Sequence, residues 1–191
     1  MELILASQSP RRKELLGLFH IPFSVRVARV DETMDARKSP CEEVARLSRE
    51  KALAVNPGAS EVVVAADTVV VLDGKVLGKP RSIGEAREML SMLSGKVHQV
   101  MTGLTVVCGS QIQTVTEVTD VHFRPLSSRE IDAYVETLES MDKAGAYAIQ
   151  GGAAVFVERI EGDYYNVVGL PVCRLRQLLA AAAPQLLEGQ S

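Results

Sequence analysis

The chain has 191 residues, of which 47% are hydrophobic and 24% are charged, and its formal net charge is -3. This size supports one sizeable core and hardly two, so we expect a single domain over residues 1–191, with two lobes and a tail that frays after about residue 184. The acidic balance argues against direct nucleic-acid binding and against anionic membranes, and it allows only a local basic pocket. Three cysteines without CxxC spacing, together with the lack of an apolar leader or a membrane-length run, predict a cytoplasmic protein.

In chain order, an apolar strand over residues 3–6 leads into a helix that begins at Ser9 and Pro10. Serine is a preferred N-cap, and proline suits the first helical position. The first turn nevertheless carries Arg11 and Arg12 followed by Lys13. A helix N-terminus bears partial positive charge and favours acids, so these three cations are unexpected there.

Later helices show the ordinary pattern, in which glutamate stands three residues after serine as in a capping box. These pairs are Ser39 with Glu42, Ser82 with Glu85, and Ser127 with Glu130. The contrast predicts a phosphate site at the first helix, built from backbone N–H groups, serine hydroxyls and the two arginines. A solvated basic patch is the alternative. If the site exists, Arg12→Glu should weaken phosphate binding without lowering the melting temperature.

Two adjacent acids, Asp31 and Glu32, follow a strand predicted over residues 23–28, and they fit either a metal site or an ordinary loop. The next helix, from Pro40 to about Val55, carries Lys51, which alone indicates little. The chain then enters a valine-rich run over residues 62–72 that is interrupted by one acid, Asp67. Because the run is apolar on both faces, it predicts a strand covered on both sides.

An ionised carboxylate in such a strand needs a partner or a cation, so Asp67 is a candidate functional residue. The alternative is a core aspartate that accepts hydrogen bonds from nearby backbone. Asp73 and Gly74 predict a tight hairpin whose return strand brings Lys79 towards Asp67. Beyond the hairpin we expect a helix over 83–93, two long strands ending near 123, a helix over 128–138, strands over 153–160 and 164–168, and a last helix over 170–182. The histidines lack metal-ligand spacing, and no P-loop or dinucleotide motif is present.

The assembled motifs resemble the Maf, or septum-formation, family of nucleoside triphosphate pyrophosphatases. The matching segments fall in the family's order over nearly the whole chain: LASQSPRR at 5–12, VDET at 30–33, REKA at 49–52, AADTVV at 65–70, GKP at 78–80, SGKVHQVMTG at 94–103, DKAGAYAIQG at 142–151 and NVVGLP at 166–171. The resemblance implies an α/β fold in which a twisted mixed sheet and flanking helices form two lobes around a deep nucleotide cleft, commonly in a homodimer. It also implies hydrolysis of a nucleoside triphosphate to the monophosphate and pyrophosphate with magnesium, manganese being the alternative.

The resemblance also implies roles for particular residues. Asp67 is the expected catalytic residue and shares the metal with Glu32. The expected substrate-binding residues are Ser7, Ser9, Arg11, Arg12, Lys51 and Lys79. Family members that act on dTTP and UTP resemble this chain at Arg11, Thr68 and Gln150, whereas those that prefer 7-methylguanosine triphosphate carry Trp, Gln and Glu there. We therefore expect a house-cleaning enzyme for dTTP, UTP and modified pyrimidine nucleotides. The alternative is a non-catalytic, nucleotide-binding regulator of cell division.

Overall fold

A computed structural model describes residues 1–188 of the chain. Its strands are β1 (Glu2–Leu5), β2 (Phe23–Val25), β3 (Glu61–Leu72), β4 (Lys75–Leu77), β5 (Val97–Cys108), β6 (Gln111–Phe123) and β7 (Val157–Glu161). Its α-helices are α1 (Pro10–Gly17), α2 (Pro40–Ala54), α3 (Ile83–Leu93), α4 (Ser128–Val135), α5 (Tyr164–Val168) and α6 (Val172–Ala182). Short 3-10 helices span Ala144–Ala146, Gly152–Phe156 and Pro184–Leu186. No helix within residues 1–188 has both the length and the apolar character needed to cross a membrane.

The strands form one mixed sheet in the order β2-β1-β3-β5-β6-β7, with β4 also paired to β3. β1 runs parallel to both β2 and β3, whereas β3 with β4 and β6 with β7 are antiparallel. The long β3 is buried along almost its entire length, as its valine-rich sequence predicts for a strand covered on both faces. The predicted α/β class with a mixed sheet is confirmed.

The chain divides into two compact units. The first contains Met1–Asp67, Thr102–Glu117 and the chain from Gly169 onward, and the second contains Thr68–Met101 and Val118–Val168. Within the first unit, α2 packs its Ala52 and Val55 against Ile4 of β1 and Val63 of β3. Within the second, α3 and α4 pack with the aromatic residues that close its core: Phe123, Tyr134, Tyr147 and Phe156.

A close backbone approach fixes α2 in the first unit. Gly103 of β5 lies against the carbonyl of Val44, and a Cβ at Gly103 would clash with that backbone. Glycine is therefore needed here for proximity, since any side chain would push α2 away from the strand.

The predicted hairpin at Asp73 and Gly74 is confirmed, and both residues have the positive φ values, 50° and 77°, that a two-residue turn of this kind requires. Other predictions were wrong. The strand predicted over 23–28 ends at Val25, and residues 152–156, predicted as part of a strand, form a 3-10 helix. Pro184–Leu186 forms a further 3-10 helix in the predicted frayed tail, and the rest of that prediction lies partly outside the described residues.

The strand predicted over 164–168 is helix α5 instead. Asp163 explains the difference, because its carboxylate accepts hydrogen bonds from the backbone N–H groups of Tyr165 at 2.7 Å and Asn166 at 3.2 Å. This contact caps a helical turn and outweighs the strand propensity of the tyrosines and valines that follow.

Candidate active site

The N-terminus of α1 has the cap that the sequence predicts. Ser9 Oγ accepts a hydrogen bond from the backbone N–H of Arg12 at 3.4 Å, and Ser7 Oγ accepts one from the N–H of Ser9 at 3.2 Å. The first turn contains no acidic residue. Ser39 and Ser127 form complete capping boxes at α2 and α4, whereas at α3 the Glu85 carboxylate contacts the N–H of Arg81. The positive end of α1 therefore faces its surroundings without the acid found at these other helices.

Arg12 joins this terminus to the far end of the chain. Its Nε donates to the carbonyl oxygen of Gly169 at 2.8 Å, and its guanidinium also contacts Ser7 Oγ at 3.4 Å. Burial lowers the pKa of Arg12, as does the charge of Arg11, whereas the carboxylates of Asp67 and Glu32 raise it. These interactions place one guanidinium within electrostatic range of both predicted metal ligands.

The partner of Asp67 is Lys51. Asp67 is 9% exposed in β3, and its Oδ1 lies 2.6 Å from Lys51 Nζ. The same nitrogen lies 2.7 Å from Oε1 of Glu32, whose side chain is 63% exposed. One ammonium thus bridges two carboxylates, one nearly buried and one open to solvent.

Side chains of α2 hold the loop that carries Glu32. Arg46 donates to the carbonyl of Thr33 at 2.9 Å, and the buried Glu43 accepts a hydrogen bond from the N–H of Asp35 at 2.9 Å. Arg46 and Glu43 are themselves paired at 2.7 Å, and this hydrogen bond is the main cause of the lowered pKa of Glu43. The loop therefore takes its position from a paired arginine and glutamate one helical turn apart.

The predicted site residues fall into two groups. Those of the first unit are Ser7, Ser9, Arg11, Arg12, Glu32, Lys51 and Asp67. Thr68, Lys79 and Gln150 belong to the second unit. Thr68 directly follows Asp67 on β3, Gln150 is exposed between two 3-10 helices, and Lys79 lines a depression of about 400 Å³ together with Arg81 and Met89.

The carboxylate pair sets the terms for a metal. Within residues 1–188, no three His, Cys, Asp or Glu side chains gather into a ready-made metal cluster. Magnesium commonly takes only one or two carboxylates and completes its shell with phosphate oxygens and water. Asp67 and Glu32 already share one cationic group, so their donor set fits such an ion.

Some contacts at the site escaped the sequence reasoning. The carbonyl of Gly169 left no signal, because any residue supplies one. The brace made by Glu43, Arg46 and Glu50 did leave one, since the spacings i,i+3 and i,i+4 place the three side chains on one helical face. Lys51 was identified only through the resemblance.

The architecture is that of the Ham1 proteins. Solved structures from Staphylococcus aureus, "The structure of the Staphylococcus aureus Ham1 protein", and from Coxiella burnetii, "Structure of a HAM1 protein from Coxiella burnetii", each superpose with a TM-score of 0.51. They cover 95% of this chain, and the chain covers 98% and 100% of theirs, at 14% and 13% identity. A family profile described as "Maf-like protein" matches residues 2–182, and the chain belongs to the Maf family.

Two curated relatives share about half of their residues with this chain. One, from Bacillus cytotoxicus, is 51% identical over 173 residues, covering 90% of this chain and 91% of its own. The other, from Bacillus mycoides, is 50% identical over 175 residues, covering 91% and 92%. Both are named "dTTP/UTP pyrophosphatase".

Proposed function

We propose that this protein is a nucleoside triphosphate pyrophosphatase that hydrolyses dTTP and UTP to the monophosphate and pyrophosphate. The names of relatives about 50% identical to it support this activity. The observation that carries the proposal is the arrangement around Asp67. A nearly buried carboxylate is paired with Lys51 and within electrostatic range of Arg12, beside a helix N-terminus that has no acid. We further propose that the enzyme is cytoplasmic and dimeric.

The residues of the first unit suit the two demands of this reaction. The α1 terminus, with Ser7, Ser9, Arg11 and Arg12, offers N–H groups, hydroxyls and guanidinium groups to phosphate oxygens. Asp67 is placed to orient a water molecule and take up its proton as it attacks the α-phosphorus. The positive charges of Lys51 and Lys79 compensate the charge of the departing pyrophosphate.

Membership of the family implies a divalent metal cofactor, and we propose magnesium. Asp67 and Glu32 would hold it, and the ion would supply Lewis-acid stabilisation of the phosphate oxygens. The loop held by Arg46 and Glu43 keeps Glu32 within reach of Asp67 through their common contact with Lys51.

A non-catalytic regulator that only binds nucleotide is the competing function. The burial of Asp67 argues against it, because a carboxylate near a triphosphate repels the ligand and costs free energy to bury. A binding module would gain affinity by losing that acid. The position of Asp67 therefore favours chemistry.

We propose that Arg11, Thr68 and Gln150 select the pyrimidine base. The Gln150 amide is exposed and has both a donor and an acceptor, so it matches the carbonyl and ring N–H of uracil or thymine. The chain contains no tryptophan to stack on a cationic 7-methylguanine. Gln150→Glu removes the donor and adds a charge that repels the carbonyl, so it should cost tenfold or more in kcat/KM for UTP.

The test is product release with magnesium from UTP, dTTP, CTP, GTP and 7-methyl-GTP, with a chelator as control. We expect pyrophosphate and monophosphate, fastest from UTP and dTTP. Orthophosphate in place of pyrophosphate, or no product from any nucleotide, would refute the proposed reaction. A preference for 7-methyl-GTP would refute the base assignment alone.

A further inference from the structure

The segment that carries Gln150 is tied to the rest of the second unit near both of its ends. Residues 147–151 connect the 3-10 helices Ala144–Ala146 and Gly152–Phe156. Before Gln150, the N–H of Ala148 donates to Tyr134 Oη at 3.1 Å. After it, the N–H of Gly152 donates to Glu139 Oε2 at 2.9 Å. Two side chains from α4 and the turn that follows it therefore hold the backbone on either side of the exposed amide.

The two anchoring side chains are also bonded to each other. Burial raises the pKa of Tyr134, and so does the hydrogen bond between its hydroxyl and Glu139. A phenol has one proton, so the hydroxyl that accepts from Ala148 donates to the carboxylate. Backbone, phenol and carboxylate thus form one connected network in which each hydrogen bond fixes the direction of the next.

Packing leaves this network little freedom. Tyr134 is 5% exposed, and its ring meets that of Phe156 edge to face at a centroid distance of 5.3 Å. A Cβ on Gly151 would clash with the Glu139 carboxylate, and one on Gly152 would come within 3.3 Å of the Tyr134 ring. The glycines therefore let the backbone approach the two anchors closely.

We infer that Tyr134 and Glu139 are positioning residues for base selection, an inference that rests on the proposed role of Gln150. They act through the backbone of residues 148–152. Discrimination between uracil and cytosine depends on presenting the amide donor and acceptor in register with the base edge. An exposed amide on a loosened loop adapts to either edge, so releasing an anchor reduces selectivity more than turnover.

The test compares Tyr134→Phe with Tyr165→Phe, a matched removal of a hydroxyl from a tyrosine that is 38% exposed in the same unit. We expect Tyr134→Phe to lower the ratio of kcat/KM for UTP over CTP by about tenfold, mainly through KM for UTP, with kcat changed less than threefold. Tyr165→Phe should leave the ratio unchanged. Melting temperatures of both variants ensure that the assay runs on folded protein.

Glu139→Gln and Gln150→Glu complete the design. Glu139→Gln keeps an acceptor for Gly152 and should reduce the ratio less than Tyr134→Phe. The double variant of Tyr134→Phe with Gln150→Glu should lose little more selectivity than Gln150→Glu alone, because both act through one amide.

The outcomes separate the two proposals. A Tyr134→Phe variant that melts lower but keeps its UTP/CTP ratio, while Gln150→Glu changes it, would overturn the positioning role and leave the base assignment intact. An unchanged ratio in Gln150→Glu would overturn both. If pyrophosphate is released from no nucleotide at all, the proposed reaction itself is wrong.

Discussion

Lys51 Nζ lies 2.6 Å from Oδ1 of Asp67, so the one acid within the valine-rich strand is neutralised by a lysine of the neighbouring helix. The side chains of both residues are largely buried, at 15% and 13% exposed. Glu32 shares the same ammonium, which makes the three side chains one electrostatic unit. Changes to any of them will be felt by the other two.

Asp67→Asn keeps the shape of the side chain and removes its charge. We expect kcat with UTP to fall by about a hundredfold or more, the scale of losing a general base or a metal anchor, while nucleotide binding is retained. Lys51 keeps Glu32 as a partner, so the fold should survive. Steady-state kinetics and a nucleotide titration measure the two effects, and turnover close to that of the parent would rule out a catalytic role for Asp67.

Arg12→Glu separates two views of the first helix. The capping-box spacing predicts that it leaves folding unharmed, because glutamate three residues after Ser9 completes the box. The contact with Gly169 predicts instead a loss of about 2 kcal/mol in unfolding free energy.

Lys13→Glu is the matched control, since Lys13 is exposed in the same helical turn. An acid at this position suits the helix dipole, so this variant should melt no lower than the parent. Arg12→Glu should also reduce triphosphate affinity at least tenfold, and unchanged affinity would exclude an anion site at α1.

Arg46→Lys removes the fork that joins Glu43, Glu50 and the carbonyl of Thr33. Because this fork holds the Glu32 loop, we expect the affinity for manganese, used as a spectroscopic substitute for magnesium, to fall about tenfold without nucleotide. Arg37→Lys is the control on the same loop, because Arg37 pairs with Asp35 but its side chain is 89% exposed. Equal manganese affinities in the two variants would show that the fork does not position Glu32.

Gly103→Ala should be strongly destabilising, by about 3 kcal/mol in unfolding free energy, because the new methyl group meets the backbone of Val44. Gly17→Ala is its counterpart. Nothing lies within 4 Å of a Cβ at Gly17, the last residue of α1, and alanine favours the helix there. Chemical denaturation of both variants measures the difference, and similar midpoints would mean that α2 yields readily at Val44.

His98 makes stability depend on pH. It is 1% exposed, its Nε2 lies 2.8 Å from Tyr147 Oη, and burial lowers its pKa from 6.5 to about 4. Below pH 6.5 the unfolded chain therefore binds a proton that the folded chain does not, and stability falls as the pH drops towards 4, by up to about 3 kcal/mol.

Carboxylates whose pKa is lowered to about 2, such as Glu61 and Glu130, affect stability only below about pH 4.5, their ordinary value. The interval from pH 4.5 to 6.5 is thus the one to compare. His98→Gln retains a hydrogen-bonding group and should flatten the dependence of unfolding free energy on pH there. Parallel curves for parent and variant would disprove the buried, neutral histidine.

The parts of the fold that the sequence predicts well depend on local chemistry. Ser9 and Pro10 begin a helix, Asp73 and Gly74 reverse a hairpin, and the apolar run around Asp67 forms a strand, since each depends on near neighbours. The predictions that failed depend on contacts elsewhere. Helix α5 follows from the cap at Asp163, whose carbonyl and N–H also contact Thr119, 44 residues away.

The candidate site shows the same division. Asp67 and the cations of α1 are conspicuous in the sequence because each violates an expectation for its element. Lys51 is an ordinary helix residue until the fold brings it against Asp67, and the hairpin had suggested Lys79 instead. Partner choice across 16 residues depends on how α2 lies on β3, which composition and periodicity do not specify.

The bond between Arg12 and the carbonyl of Gly169 spans 157 residues, and this separation orders the events of synthesis. Ribosomes add about 5–20 residues per second, so Arg12 leaves the ribosome on the order of ten seconds before its partner exists. During that interval the nascent chain presents the arginines of α1 without their anchor. A chain that stalls before residue 169 would hold every residue proposed here to touch substrate, and yet its guanidinium would lack the carbonyl that orients it.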